Sequence, residues 1–340
     1  KAYYNAMFSQ PYQHAVLASS LSMELPKWGY VEKLEAIENI NISHLAQFCS
    51  RINSRFKLEL LVHGNFGRDD ANTCAEMVCS TLKPRMGTLF PGTDLESRVA
   101  ALPPKSSFVY RCRVPDPENS NSALQTVFQV GPESIPQSAI LNLLNHLIRE
   151  PCFNQLRTQE QLGYLVWSGG MKSGSFIDAV RVIVQSEVKD PAGLDGRVEA
   201  FLQEFRKILE DMSEEEFQTN VQAVVEQLLE KDKNLNEESM RYWTEVDKGS
   251  YLFNRAQVVA DKVKEVKKDE VTTFFDKFIA KDSPERRKIS FQVYGKLHPL
   301  PEGLTEEETS EGVVSIQKPA EFRRIMPMYP LRPLVDVSKL

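Results

Sequence analysis

KISFQVYGK, residues 288–296, and KLELLVHGN, residues 57–65, are the stretches that decide the fold. Each is a run rich in apolar residues that closes on a glycine and a polar residue, the pattern of a strand and its exit. Each also follows a helical segment, VKKDEVTTF (residues 266–274) in one case and INISHLAQF (residues 40–48) in the other. With Lys57 set on Lys288, Gly64 falls on Gly295; in the helices Ile40, Leu45 and Phe48 match Val266, Val271 and Phe274. One helix-then-strand unit thus closes both halves, which predicts two copies of a single domain. The expected class is α+β: two tandem homologous domains, each a mainly antiparallel sheet packed with helices. The first copy has no opening strand pair, so it is expected to be truncated at its N-terminus.

Between the copies, from Lys83 to Lys105, proline and glycine become dense (KPRMGTLFPGTD, LPPK). That marks a linker and places a boundary near residue 100. Before it, RDDANTCAEMVCSTL (residues 68–82) has helical spacing and acids in its first turn. After it, SSFVYRCRV and SALQTVFQVG read as strands, and Ile140, Leu143, Leu144, Leu147 and Ile148 form one helical face. Pro151 is expected to interrupt that helix. The glycine- and serine-rich SGGMKSGS is expected to be a long hairpin loop before the strand DAVRVIVQSE. A long amphipathic helix then ends near Met212, and Ser213 with Glu216 forms a capping box for the next one.

The bulk numbers narrow the function classes. The chain has 340 residues, 41% hydrophobic and 26% charged, with a formal net charge of -6. An acidic balance argues against general nucleic-acid binding. No apolar run approaches the roughly 18 residues of a membrane span. Five cysteines without metal spacing read as free thiols in a reducing compartment. The first residues, KAYYNAMF, carry neither initiator methionine nor signal peptide, so the chain is expected to be part of something longer. Ser338-Lys339-Leu340 at a free C-terminus is a peroxisomal address, and peroxisomal import is the expectation, with the cytoplasm otherwise.

The five histidines, His14, His44, His63, His146 and His298, form no HxxEH or HExxH pattern. His146 and Glu150 are one turn apart but have no second histidine. Phosphate-loop spacing and a G-x-S-x-G elbow are also absent. What is left is RTQEQLGYLVWSGG, residues 157–170. Gly163 stands where a helix C-cap takes positive φ, so the chain can turn and begin a strand at Tyr164. Arg157 and Tyr164 would then be two hydrogen-bond donors fixed at a sheet edge, able to hold peptide carbonyls or an oxyanion. In the competing reading, Arg157 pairs with Glu160 or Glu150 and Tyr164 is a strand aromatic.

EPCFNQLRTQEQLGYLVWSG (residues 150–169), with GRVEAF, LEDMSEEEFQ and RYWTEV further on, resembles the C-terminal half of the insulysin–pitrilysin family of zinc metallopeptidases. QPYQHA, LLVHGN and PERRKISFQVYG extend the likeness over nearly the whole chain. The resemblance implies four homologous α+β domains in two halves around a closed chamber. It assigns residues 1–100 to the latter part of the third domain, 101–325 to the fourth, and 326–340 to an extended tail ending in SKL. Zinc belongs to an HxxEH motif in the first domain, which this chain lacks. The implied function is therefore the non-zinc half of a metalloendopeptidase, inactive alone, that closes the substrate chamber. Arg157 and Tyr164 would contact the substrate backbone, Tyr164 near the oxyanion. The alternative is a non-catalytic peptide-binding or scaffold member. The resemblance also points to Lys231 and Lys233 in LEKDKNL as a polyanion site, to Cys152 as a thiol without a catalytic role, and to peptide substrates, the missing N-terminal half and a homodimer as partners, with neither nucleic acid nor membrane.

Overall fold

The computed structural model describes residues 2–6, 8–52, 58–82, 97–174 and 176–332. The chain opens with α1 (Ala2–Ala6), α2 (Pro11–Met23) and the short strand β1 (Glu24–Leu25), followed by α3 (Tyr30–Glu38), α4 (Ile42–Ile52) and α5 (Arg68–Leu82). Next come β2 (Arg98–Val99), β3 (Ser106–Arg113), β4 (Ser122–Pro132) and α6 (Ile135–Phe153), which runs into a π-helical turn at Asn154–Gln159. The hairpin strands are β5 (Leu165–Ser173) and β6 (Ile177–Ser186). Then follow α7 (Pro191–Asp211), α8 (Glu214–Leu228), α9 (Leu235–Asp247), α10 (Arg255–Val263) and α11 (Lys268–Phe278). The last elements are β7 (Arg287–Tyr294), α12 (Glu306–Ser310), β8 (Val314–Ile316) and α13 (Pro319–Ile325).

The described residues fall into two compact units. The larger draws on 1–30, 97–230 and 255–330, the smaller on 31–96, 231–254 and 331–340. The larger unit holds a six-stranded sheet in the order β5-β6-β4-β7-β3-β8. The β5/β6, β6/β4 and β4/β7 pairs are antiparallel, and β7/β3 and β3/β8 are parallel. The expected α+β class, with a mainly antiparallel sheet, is what this unit shows.

Alternation along the central strands sends side chains to opposite faces. Leu124, Phe128, Val180 and Val182 pack against Leu143, Phe201, Phe205 and Phe275 of the helices on one side. Val127, Ile289, Phe291 and Val293 meet Ala15 and Ala18 of α2 and Phe322 of α13 on the other. With both faces covered, β4 is buried from Ser122 to Gly131.

The helix starts follow from local chemistry. Ser134, Asp190 and Ser213 accept from the backbone N–H groups of Gln137, Gly193 and Glu216 at 3.3, 3.0 and 3.1 Å. The α7 and β7 elements are joined by charge. Lys288 Nζ lies 2.7 Å from both Asp195 and Glu199, and Arg286 lies 2.7 Å from Glu199. Thr126 donates to Asp195 at 2.6 Å, so the acids are hydrogen-bonded on more than one side.

The structure departs from the sequence-based expectation in two stretches. The SGGMKSGS stretch is not a long loop, because β5 runs on to Ser173, and only residues 174–176 separate it from β6. Its inner glycines serve packing: at Gly170 a Cβ would sit 2.4 Å from the Asn145 amide. The strand expected over residues 57–65 does not form in its described part, 58–65; Lys57 lies outside the described residues. A strand needs a laterally paired neighbour, and none of the described residues of the smaller unit forms one. The helices expected there do form, yet α3, α4 and α5 bury no residue.

Candidate functional site

The stretch carrying Arg157 begins as the end of α6. Pro151 sits inside that helix rather than ending it. A proline removes one backbone donor and crowds the preceding turn, and within three residues the helix widens to π geometry. The Glu160 N–H donates to the Gln155 carbonyl at 2.9 Å and the Leu162 N–H to Leu156 at 3.0 Å. Leu156 is fully buried and Leu162 nearly so, which anchors the turn on both sides of Arg157. π-turns of this kind often mark functional positions.

The residue that turns the chain is Gln161, at φ 52°, not Gly163, whose φ is not positive. Gly163 is required for a different reason. A Cβ on it would lie 1.9 Å from the Gln185 carbonyl oxygen of β6. Glycine lets the chain press against the hairpin, and Tyr164 emerges one residue before β5.

Arg157 is stacked between two rings. Its guanidinium carbon is 4.6 Å from the Phe153 centroid and 4.8 Å from that of Tyr164. The competing ion pair is not made, because Glu160 is taken by Arg197 through two hydrogen bonds of 2.7 Å. Those bonds hold the Glu160 carboxyl below the usual carboxylate range. Among the described residues, no carboxylate pairs with Arg157. Tyr164 is 87% exposed. The stack fixes the guanidinium plane and leaves its edge N–H groups and the phenol O–H for an external acceptor. Sequence reasoning missed the part Phe153 plays here; its spacing of four residues from Arg157 was the available signal.

Beside this stack lies a groove of about 700 Å³, lined by Phe153, Val166, Trp167 and Ser168 together with His146 and Glu150. Among the described residues, no three histidine, cysteine or acidic groups could hold a metal ion. Zinc ligation needs three or four such donors, so no chemical step is assigned to a metal on this chain. Cys152 is fully buried, and burial pushes its thiol up to about 11. Cys49, Cys74 and Cys79 are exposed, and all five thiols are free.

Lys231 and Lys233 lie in the exposed connection between α8 and α9, on residues of the smaller unit. Asp232 between them binds Arg241 at 2.8 Å, and the Lys233 backbone N–H donates to Glu237 at 2.8 Å. Acid and base alternate along this segment. Ser338-Lys339-Leu340 lies outside the described residues, and no described helix is long and apolar enough to cross a membrane.

Residues 143–243 match the family described as PQQ synthase PqqF-like, C-terminal lobe domain 4. The chain is 32% identical over 333 residues to "Insulin-degrading enzyme-like 1, peroxisomal" of Arabidopsis thaliana, covering 97% of this chain and 34% of that protein. To "Insulin-degrading enzyme" of Homo sapiens it is 34% identical over 340 residues, covering 96% and 33%. The chain thus spans about a third of these relatives' length. Its fold matches a crystal structure of pitrilysin with a TM-score of 0.83 at 24% identity, covering 96% of this chain and 34% of that one.

Proposed function

Because the chain belongs to the insulysin–pitrilysin family of peptidases, we propose that it forms the lobe of a longer metalloendopeptidase that faces the zinc-bearing lobe and closes the substrate chamber. Residues 1–100 and 101–325 are read as the latter part of that protein's third domain and as its fourth domain. Peptides are the substrates. Arg157 and Tyr164 hold the substrate backbone at the scissile bond, with Tyr164 toward the developing oxyanion.

The observation that carries this reading is the Phe153–Arg157–Tyr164 stack: a guanidinium without an acid partner beside a phenol that is almost wholly exposed. A side chain serving only stability would be expected to use those donors internally. In the full-length enzyme, Tyr164→Phe and Arg157→Ala should each lower kcat/KM by roughly ten- to a thousand-fold, the range for losing one oxyanion donor. Bound zinc, measured by elemental analysis, should not change. Wild-type rates in both variants would refute the assignment.

The isolated chain should show no chelator-sensitive peptide hydrolysis. A non-catalytic peptide-binding or scaffold role is separated from the enzyme reading by the rest of the protein: without an HxxEH motif there, the binding role takes over. The peroxisomal reading draws on Ser338-Lys339-Leu340 and on the name of the Arabidopsis relative. Deleting those three residues should leave the full-length protein in the cytoplasm, and peroxisomal import of the deleted form would end that reading.

A further inference from the structure

Arg157 is not alone in lacking an acid. The other arginines that are not exposed are matched to oxygen, as Arg111 to Glu308, Arg197 to Glu160, Arg206 to Asp276 and Arg286 to Glu199 show. Arg181 is the second exception among the described residues. Its guanidinium carbon lies 4.5 Å from the Trp167 ring centroid, its Nε is buried without a partner, and no acid or carbonyl receives its N–H groups. Burial alone pulls its pKa below the ordinary arginine value, since no counter-charge offsets it.

The strand register builds this arrangement. Arg181 on β6 stands opposite Gly169 on the edge strand β5, and Trp167 stands opposite Ile183 on the same face. Gly169, at φ 153°, leaves room for the indole to lie across it, with ring carbons 3.3 Å from where a Cβ would be. Trp167 is therefore a fixed wall, 37% exposed, with the guanidinium stacked on it. In the same row, Gln125 is fully buried and neither atom of its carboxamide has a hydrogen-bond partner. Stacking occupies the face of a guanidinium and leaves its in-plane fork for a carboxylate. At about 3.3 Å per residue, Trp167 lies roughly 10 Å along the strand from Tyr164, or three residues of an extended peptide.

We propose that Arg181, held against Trp167, is a subsite for a peptide carboxylate, either an acidic side chain or a chain-terminal carboxylate, a few residues from the one held at Tyr164. The proposal rests on the reading of this lobe as a substrate-binding one. It makes Arg181 a selector of substrate charge.

The test uses the full-length enzyme and one parent peptide. Gln is replaced by Glu at one position at a time, and the chain end is made as free acid or amide. The readouts are kcat/KM and, with the metal chelated, the Kd of the same peptides by fluorescence anisotropy. Wild type should favour the acid at one side-chain position, or at the chain end, by roughly tenfold, the scale of one charge-assisted pair. Which peptide series shows the preference identifies the carboxylate's source. Arg181→Met should abolish the preference, and Arg181→Gln should do the same while keeping a polar group if the Met variant does not fold.

Tyr164→Phe should slow all peptides alike and leave the preference intact. If Tyr164→Phe and Arg157→Ala both turn over at the wild-type rate while the Arg181-dependent preference in Kd persists, the catalytic assignment falls and the subsite stands. No acid preference in wild type, a preference that survives both Arg181 variants, or an equal loss for acidic and neutral peptides overturns the subsite.

Discussion

At Gly163 the atoms that forbid a side chain belong to backbone. A Cβ there would be 1.9 Å from the Gln185 oxygen and 2.9 Å from its carbonyl carbon, and β6 cannot shift as a side-chain tip could. Gly163→Ala should destabilise the protein by roughly 1–3 kcal/mol, the usual cost of overpacking, read from urea unfolding. If Tyr164 has the proposed role, the same change should also slow peptide hydrolysis by the full-length protein, because Tyr164 is the next residue. The sequence correctly showed that a glycine was needed at 163, but for the wrong reason. A positive φ can be guessed from local pattern; a carbonyl arriving from another strand cannot. Cys152 was legible only through the family resemblance, which pointed to a thiol without a catalytic role. Fully buried and pushed up to about 11, it should resist iodoacetamide at neutral pH in the folded protein and label on unfolding, by mass spectrometry. Rapid labelling of native protein would contradict the burial.

At the scale of elements, the joint between α7 and β7 depends on charges that the sequence presented as surface. Asp195 and Glu199 are spaced as a solvated helix face would be, and Lys288 opens a strand. Nothing local announces that they meet at 2.7 Å under cover. The apolar stripe of α7 was legible because helical period fixes it; this ion network was not, because it joins segments far apart in the chain. Lys288→Met would leave Glu199 with Arg286 and Asp195 with only the Thr126 hydroxyl, and should cost roughly 3–5 kcal/mol, as breaking a buried pair does. The pH dependence has a definite sign. Burial opposes ionisation of Glu199, but Lys288 and Arg286 outweigh it and hold the carboxyl below its ordinary value of 4.5. A carboxyl with a depressed folded pKa contributes stability that is complete above the ordinary range and is lost as pH falls through the folded value. The gap in urea midpoint between wild type and Glu199→Gln should therefore be wide near about pH 6 and shrink toward about pH 3. A constant gap would mean that Glu199 acts through shape rather than charge.

For the whole molecule, the internal repeat gives the sharpest comparison. Leu45 and Phe48 of α4 match Val271 and Phe274 of α11, and the two pairs have opposite fates. Val271 and Phe274 are 0% and 7% exposed on the sheet of the larger unit, whereas Leu45 and Phe48 are 55% and 51% exposed. Equal apolar spacing with unequal burial means that α4 has the face of a core helix, yet no sheet among the described residues covers it as one covers its counterpart. The chain spans about a third of the length of its curated relatives; on the proposed reading of residues 1–100 as part of a third domain, a sheet outside the described residues would cover this face. Valine-to-alanine change at 271 should cost roughly 1–3 kcal/mol in both the 340-residue chain and the full-length protein. Leu45→Ala should be silent in the 340-residue chain, within about 0.5 kcal/mol. In the full-length protein the same change should cost roughly 2–4 kcal/mol by denaturant unfolding, as it would in a closed core. Silence in both forms would make the α4 face a true surface and break the domain duplication on which the reading of the first hundred residues depends.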